Sequence, residues 1–525
     1  MELNQIYNQD ALEGLKQLDE NSIHAIISDP PYQLSSITKR FGKEDSAEAQ
    51  YGTDGAFQRV SSGFMGKSWD VLPSVDILKE CLRVLKSGAW AMWLMTPRQD
   101  SQLEFLLRLR QAGFNISFSS MEWIYASGFP KAADLSLLAD KRACKEDLMQ
   151  KLGREPTKEE FKEAWGKWRE VIGEKVAPDG IPYSKRMKEG HGPSFGDSTY
   201  GNYDNNPTET NPHSAEAQAL SGSYSGFQMK PARELILTSQ KPIAGKTYLD
   251  QALLHLKEPE HNQLGGTWLD DARIPYKQTD DIIAKNPHTT SKGSDAYNTV
   301  IYGKYNPVQQ PIDYTKEVGR FPANIIVSDN ALDIGINKKS TKVDSIGGFG
   351  AGINTFGAGL VDYERGYEDS GDLSRYFDLD FWFENKLKEL PEEQQKIFPF
   401  LYVPKASKSE RNKGLEKLET KNKWLNGGGD VGITERENIL AKNIHPTAKP
   451  IKLMSYLITL STRENDIVLD PFTGSGTTAI SSILLKRRFI GFEREEEYYK
   501  IATERIKYYQ NKDAIQFQHS LLGSE

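Results

Sequence analysis

The four residues Asp29-Pro30-Pro31-Tyr32 come directly after the apolar run "IHAIIS", residues 23–28. The apolar run predicts a buried strand, and the prolines end it because their rings remove backbone donors that a sheet needs. Each proline also restricts the residue before it to an extended conformation. The sequence therefore predicts a stiff loop that holds a carboxylate and an aromatic ring. In open α/β sheets, ligands bind at this carboxyl end of the strands.

A glycine loop near the other end of the chain is the second feature that could do chemistry. The segment "VLDPFTGSGTT", residues 468–478, places Gly474 and Gly476 between a predicted strand and a predicted helix. Glycines let the backbone approach a ligand closely, and the start of a helix offers unpaired N–H groups. The loop has neither G-x-G-x-x-G spacing nor the G-K-[ST] of a P-loop, so a clamped triphosphate is excluded. A tight strand-to-helix turn is the alternative interpretation.

Acidic residues end the two strands on either side of this loop. Asp470 ends the strand before the glycines and suits a cationic group of a ligand. Glu493 ends the next predicted strand, "FIGFE", where a carboxylate suits two ribose hydroxyls. The two acids and the glycine loop together favour a site for a nucleoside that carries no clamped triphosphate.

The segments that must position these loops alternate between strand and helix. The first part of the chain predicts strands and helices by apolar period, in this order: 4–8, 10–18, 23–28, 74–86, 89–95, 98–113 and 114–126. We expect Gly88 and Gly113 to cap two of the helices, and Pro450 to open a later one in its first turn. This rhythm predicts a parallel α/β sheet with right-handed crossovers.

The middle of the chain breaks this rhythm. Residues 145–173 are highly charged and helical in pattern, and residues 188–228 are rich in Gly, Ser, Asn, Asp and Tyr, which predicts a flexible loop. The alternation returns near residue 444. We therefore expect a first half-domain, a large inserted region and a second half-domain, at 1–130, 131–400 and 401–525.

Composition limits the classes of protein. The chain has 525 residues and a formal net charge of −7, which argues against a non-specific nucleic-acid binder but not against an enzyme with a basic groove. Its two cysteines cannot form a disulfide framework or a four-cysteine zinc site, and its histidines lack metal-binding spacing, so we expect no metal. Without a signal peptide or a membrane-length apolar run, a cytoplasmic location is expected.

The two loops together, Asp29-Pro30-Pro31-Tyr32 and Phe472-Thr473-Gly474-Ser475-Gly476, resemble those of S-adenosylmethionine-dependent DNA amino-methyltransferases. Their order in the chain, with the proline loop first, resembles the β class of that family. The segment "HPTAKP", residues 445–450, is also similar, and other stretches are similar to phage and prophage adenine methylases. The resemblance implies a Rossmann-like methyltransferase fold that is circularly permuted, with a target-recognition region inserted between its halves.

The resemblance also implies roles for individual residues. The implied catalytic residues are Asp29, Pro30, Pro31 and Tyr32. The implied S-adenosylmethionine-binding residues are Asp10, Lys449, Asp470, Phe472, Gly474, Gly476 and Glu493. Two of these have simpler explanations, because Asp10 could cap the helix that follows it and Lys449 could be solvated.

The implied reaction explains why these residue types are needed. The exocyclic amine of adenine is a poor nucleophile because its lone pair is delocalised, and acceptors for its two protons would localise it. Asp29 and the carbonyl of Pro30 can be those acceptors, and Tyr32 can stack on the base. The base must first leave the duplex, which costs about a few kcal/mol. The implied function is therefore site-specific transfer of methyl to N6 of a flipped adenine.

Several alternatives stay open at this point. N4 of cytosine is the nearest, although Asp rather than Ser at position 29 favours adenine within the family. An RNA or glutamine-side-chain methyltransferase and a catalytically silent sensor are less favoured. Carbon-5 chemistry on cytosine is excluded, because neither Cys81 nor Cys144 follows a proline. The expected partner is double-stranded DNA, any restriction endonuclease would be a separate protein, and the chain could be a monomer or a homodimer.

Overall fold

The structure is a computed structural model. It describes residues 1–32, 70–125, 134–174, 208–224, 233–256, 266–275, 319–328, 338–339, 370–371, 377–390, 408–416, 418–419, 421–423, 439–443, 445 and 447–522.

The described residues contain fourteen strands. In chain order they are β1 (Gln5–Tyr7), β2 (Ile23–Ser28), β3 (Leu85–Met95), β4 (Met121–Tyr125), β5 (Val171–Glu174), β6 (Thr208–Thr210), β7 (Arg233–Gln240), β8 (Ile325–Ser328), β9 (Lys338–Lys339), β10 (Ser370–Gly371), β11 (Lys421–Lys423), β12 (Ile439–Ala441), β13 (Ile467–Asp470) and β14 (Arg488–Phe492). Eight of them form one sheet in the order β1-β14-β13-β2-β3-β7-β4-β8, and the other six pair off as β5·β6, β9·β10 and β11·β12.

Helices connect these strands. Their bounds are Ala11–Lys16, Val75–Val84, Gln99–Ala112, Leu135–Leu152, Lys158–Trp168, Ala215–Ala219, Tyr248–Leu256, Leu379–Lys388, Lys408–Asn412, Ile451–Ser461, Thr477–Leu484 and Glu496–Leu522, with a 3₁₀ turn at Asp270–Ala272. Within the described ranges, no helix combines the length and the apolar character that crossing a bilayer requires.

The sheet is mixed rather than wholly parallel. Strands β1, β14, β13, β2 and β3 run parallel to one another, as the alternation predicted. Strand β7 runs antiparallel between β3 and β4, and β4 and β8 are parallel again. Consecutive strands β3 and β4 are therefore separated by β7, a pairing across more than a hundred residues that apolar periodicity does not encode.

Helices cover both faces of the sheet. Ile26 and Ile27, adjacent in β2, belong to different hydrophobic clusters because side chains alternate across a strand. The cluster with Ile26 includes Phe105, and the cluster with Ile27 includes Trp382 and Tyr456. Burial on both faces explains why this strand is one continuous apolar run.

Part of the region predicted as an insertion completes the main sheet. Strands β7 and β8 and the helix Leu379–Lys388 all lie between residues 131 and 400, and Trp382 of that helix packs against Tyr456 with ring centroids 4.9 Å apart. The range predicted as a flexible loop, 188–228, contains β6 and a short helix in residues 208–224, and its other residues lie outside the described part.

Two predicted helix ends differ from the structure. The helix Val75–Val84 ends before Leu85, which has an extended backbone and is the first residue of β3. Gly88, at φ +77°, therefore lies inside the strand and does not cap this helix. Pro450 is the N-cap of the helix Ile451–Ser461 rather than a residue of its first turn. The cap at Gly113 is confirmed, with φ +103° in the left-handed region that favours glycine.

The first strand of the chain lies beside the last. Ile6 of β1 is the register partner of Gly491 in β14, and the Asn4 amide donates to the Phe489 carbonyl over 2.7 Å. The Asn8 side chain donates to the Glu493 carbonyl at 2.8 Å. The two ends of the chain therefore form one edge of the sheet.

We expect one and the same substitution to have opposite effects in two helices. A Cβ at Gly14 would lie 2.5 Å from the buried Phe492 ring, whereas a Cβ at Gly166 would meet nothing within 4 Å. Gly14→Ala should lower the free energy of unfolding by about 1–3 kcal/mol through overpacking. Gly166→Ala should raise the stability of its helix by up to about 1 kcal/mol, because alanine loses less backbone entropy. Thermal melts followed by far-UV circular dichroism measure both, and a stabilising Gly14→Ala would contradict this packing.

Candidate active site

The proline loop and the glycine loop meet at the carboxyl ends of two neighbouring strands of the main sheet. Strands β2 and β13 are parallel neighbours, with Ile26 opposite Leu469, so their carboxyl ends coincide. The Ser28 hydroxyl at the end of β2 donates to Asp470 Oδ1 at the end of β13 over 2.5 Å. Asp29 follows Ser28 directly. The structure thus brings together two motifs that lie more than 400 residues apart in the chain.

Asp470 links three pieces of backbone. Its carboxylate, 5% exposed, accepts hydrogen bonds from Ser28, from Thr478 Oγ1 at 2.6 Å and from the Phe472 amide at 3.1 Å. Burial raises the pKa of the Asp470 carboxyl, and the three donors oppose that rise. The carboxylate that we expected to meet a cationic ligand group is therefore occupied by protein donors, which fix β2, the glycine loop and the next helix relative to one another.

The glycines of the loop are required by its geometry. Gly474 and Gly476 have φ of +55° and +82°, which side chains disfavour. A Cβ at Gly474 would also lie 2.7 Å from His445 Nε2. Gly476 is the residue before the helix Thr477–Leu484, so the first amides of that helix follow the turn.

Glu493 faces the glycine loop from the end of β14. Its two carboxylate oxygens accept the Gly474 and Glu495 amides, each at 2.8 Å. Burial raises the pKa of the Glu493 carboxyl to about 7, against the lowering effect of these amides. Because each carboxylate oxygen has a second lone pair, Glu493 can still accept hydroxyl donors from a ligand.

Asp10 lies three residues after β1 and caps a helix. Its Oδ1 accepts the Leu12 amide at 2.9 Å, as the N-cap of the helix Ala11–Lys16. The Glu493 amide donates to the Tyr7 carbonyl at 3.0 Å, which brings the end of β1 next to the end of β14. The capping role is thus present, and any ligand contact of Asp10 would come in addition to it.

Arg505 was not predicted from the sequence as a site residue, and it donates hydrogen bonds to the glycine loop. Its guanidinium is fully buried and donates to the Ser475 carbonyl at 2.5 Å and to the Ser475 hydroxyl at 3.1 Å. A signal existed in the sequence, because Arg505 lies on the same helix face as the buried residues Ile501 and Tyr509. An arginine on an apolar helix face indicates a buried acceptor.

The proline loop is held by two carboxylates. The Tyr32 hydroxyl donates to Asp29 Oδ1, and the Tyr32 amide donates to Asp70 Oδ1 at 3.0 Å. Asp70 is only 3% exposed and was not predicted as a site residue. These bonds place the carboxylate of Asp29 and the ring of Tyr32 side by side.

Lys449 is buried beside the proline loop, where it contacts the carboxylates of Asp29 and Glu234. Its Nζ is 2.8 Å from Glu234 Oε2, 3.0 Å from the Tyr32 hydroxyl and 3.3 Å from Asp29 Oδ2. Glu234 comes from β7, and no motif around it predicted a site residue. The residue that we expected beside a cofactor therefore contacts two implied catalytic residues.

The charges of this cluster perturb one another. Burial raises the pKa of Asp29 to about 6, an effect that the Lys449 ammonium partly offsets. Burial alone would lower the pKa of Lys449, but the carboxylates of Asp29 and Glu234 hold it well above its usual range. Two carboxylates face one ammonium, so one negative charge is left over when all three groups are ionised.

Known proteins are similar to parts of this chain. The Type II methyltransferase M2.DpnII of Streptococcus pneumoniae is 52% identical over 63 residues, which are 12% of this chain and 24% of that protein. M.HindIII of Haemophilus influenzae is 49% identical over 65 residues, 12% of this chain and 21% of its own length. The chain thus spans about a quarter of the length of these curated relatives.

Solved structures resemble the chain more loosely. The cytosine-N4-specific PvuII DNA methyltransferase aligns with 97% of this chain and 90% of its own, at 11% identity and a TM-score of 0.33. A family match covers most of the sequence: residues 23–504 fit the family N6_N4_Mtase, described as DNA methylase. That match includes both loops and nearly the whole chain, and the protein therefore belongs to the DNA methylase family.

Proposed function

We propose that this protein is a site-specific DNA methyltransferase that transfers methyl from S-adenosylmethionine to N6 of a flipped adenine in duplex DNA. The observation that carries the proposal is the contact between Ser28 and Asp470, which joins the proline loop to the glycine loop. Membership of the DNA methylase family supports DNA as the substrate. The Type II methyltransferase relatives support a restriction-modification setting, with any endonuclease a separate protein.

The residues at the carboxyl ends of β1, β14 and β13 fit S-adenosylmethionine. Glu493 would accept the ribose hydroxyls, and the loop of Phe472, Gly474 and Gly476 would let the ligand approach the backbone. Asp10 would approach the adenine end from β1. Asp470 would act through the loop that it fixes. The bound cofactor supplies an electrophilic methyl group on a sulfonium.

The proline loop would activate the amine. Ionised Asp29 and the Pro30 carbonyl would each accept a hydrogen bond from one amino N–H, which localises the nitrogen lone pair and aims it. The ring of Tyr32 stacks on the extruded base. No proton needs to leave before the nitrogen attacks, and the Asp29 carboxylate would take one amino proton after methyl transfer. Positioning of the base would therefore supply much of the acceleration.

The fold supports a permuted arrangement of the domain. The sheet places β1 from the start of the chain beside β14 and β13 from its end, and the proline loop follows β2 in the same parallel set. Residues 131–400 that lie outside the main sheet are proposed to read the DNA sequence, because target recognition needs a surface beyond the catalytic loops.

Long-read sequencing of DNA from a methylase-deficient bacterial host expressing the chain tests the function. We expect N6-methyladenine at one short sequence, and none in a host that expresses Asp29→Ala. N4-methylcytosine at one sequence would keep the methyltransferase but change the base. Labelled methyl on RNA or protein, with none on DNA, would overturn the proposal.

Replacing Asp29 should remove catalysis but not cofactor binding. Asp29→Ala deletes an acceptor for the amine and should lower the single-turnover rate at the mapped site by about 100-fold or more. Its dissociation constant for S-adenosylmethionine should stay close to that of the wild type. Asp76→Ala, which removes an exposed carboxylate, is the matched control and should leave the rate unchanged. An active Asp29→Ala enzyme would rule out this assignment.

Replacing Glu493 should have the converse effect. Hydrogen bonds to a charged group contribute about 1.5–3 kcal/mol, so Glu493→Gln should weaken S-adenosylmethionine binding by about tenfold to a hundredfold in calorimetric titrations. Glu496→Gln, on the exposed first turn of the last helix, should bind like the wild type. Equal affinities for Glu493→Gln and the wild type would place the ribose elsewhere.

The two raised carboxyl pKa values predict two different pH effects. Burial raises the pKa of Asp29 to about 6 and that of Glu493 to about 7, so each carboxylate is ionised only above its value. With saturating cofactor, the single-turnover rate should fall about tenfold per pH unit below about pH 6. The affinity for S-adenosylmethionine should fall below about pH 7, and that fall should vanish in Glu493→Gln. A rate that is flat between pH 5 and pH 8 would contradict the need for an ionised Asp29.

A further inference from the structure

One hydroxyl in the site bridges an acceptor and a donor. The Tyr32 hydroxyl donates to the Asp29 carboxylate and accepts from Lys449 Nζ, which is 3.0 Å away. Lys449 Nζ is itself 3.3 Å from Asp29 Oδ2. An acceptor and a cationic donor therefore stand side by side, and the hydroxyl satisfies both at once.

Adenine and cytosine present the same pair of groups as this hydroxyl. Each has an exocyclic amine, which donates, beside a ring nitrogen, which accepts. Guanine and thymine present a carbonyl oxygen beside a ring N–H, which is the reverse order. Asp29 and Lys449 match the first pattern and oppose the second, because two acceptors or two donors would then face each other.

We propose that Asp29 and Lys449 together read the amine and the adjacent ring nitrogen of the target base, and that the Tyr32 hydroxyl fills this pair when no base is bound. The inference rests on the proposed function and adds to it. It assigns Lys449 to the base instead of the cofactor. It also explains how the site accepts amino bases and rejects keto bases before any chemistry begins.

Glu234 is the positioning residue of this arrangement. A lysine has a flexible stem, and the ion pair of 2.8 Å with Glu234 Oε2 fixes its ammonium from the side of β7. Among the residues that the structure describes, the groups that face Lys449 are Glu234, Asp29 and Tyr32, and the two carboxylates keep its pKa well above the usual range. Lys449 thus remains a donor across the physiological pH range even though it is buried.

A keto base in this pocket would leave both groups unmatched. The Asp29 carboxylate would face an oxygen and the Lys449 ammonium would face an N–H, in a site where Lys449 is only 8% exposed. Buried polar groups without partners are costly, which is the physical basis of strong discrimination between bases.

The test removes the ring nitrogen and the lysine separately and together. Duplexes carry the mapped site with either adenine or 1-deazaadenine, in which a C–H replaces the ring nitrogen that we assign to Lys449. For the wild type, kcat/KM should fall by about tenfold to a hundredfold with the analogue, since a hydrogen bond to a charged donor is lost. For Lys449→Met, the two duplexes should differ by less than about threefold, because the partner is already absent.

Control variants separate reading of the base from a merely structural role. Lys452→Met removes a second buried lysine, which is paired with Asp380 outside the site. Its kcat/KM should fall with the analogue as much as that of the wild type. Tyr32→Phe removes only the bridging hydroxyl, and its kcat/KM should also fall with the analogue as much as that of the wild type. Glu234→Gln should reduce the penalty without abolishing it, because Lys449 is then less well positioned.

The outcomes are distinguishable. If kcat/KM falls equally with the analogue in the wild type and in Lys449→Met, the inference is wrong but the proposed methyltransferase function is unaffected. Absence of DNA methylation by the wild type would overturn the proposed function itself. If turnover of Lys449→Met is too slow to measure, the same comparison is made from equilibrium binding of the two duplexes, and equal penalties there would again overturn it. If mapping identifies cytosine as the target, 3-deazacytosine replaces 1-deazaadenine.

Discussion

The buried hydrogen bond from Ser28 to Asp470 is the constraint on which the site depends. It ties the strand that precedes Asp29 to the strand that precedes the glycine loop. Asp470 also accepts from Thr478 and from the Phe472 amide, so one carboxylate sets the distance between the two loops. In the proposed reaction, the methyl donor and the nucleophile must align closely, and this shared reference would hold them in place.

Around this constraint, charge is arranged in two separate places. Glu493 lies near the glycine loop with backbone amides on both oxygens, which suits hydroxyl ligands. Asp29, Glu234 and Lys449 lie near the proline loop, where two acids hold one buried ammonium. Strand β13 lies between the strands that precede the two clusters, and in the proposed reaction each cluster would contact a different substrate.

The loops themselves are stiffened from outside the motifs. Arg505 holds the Ser475 backbone, and Asp70 accepts the Tyr32 amide. Both are buried, and neither was predicted as a site residue. In the proposed reaction, residues distant in sequence would thus preorganise the reactive groups, which is the condition for electrostatic catalysis.

The sequence by itself determined the local features of this protein. Proline pairs, glycine spacing and apolar periods encode backbone conformation within a few residues, and they located both loops, six of the eight strands of the main sheet and the cap at Gly113. Only the tertiary structure decided that β7 enters between β3 and β4, and with it that Glu234 meets Lys449 across 215 residues. The physical reason is that strand order and crossovers bring distant side chains together, whereas local propensity acts only between near neighbours in the chain.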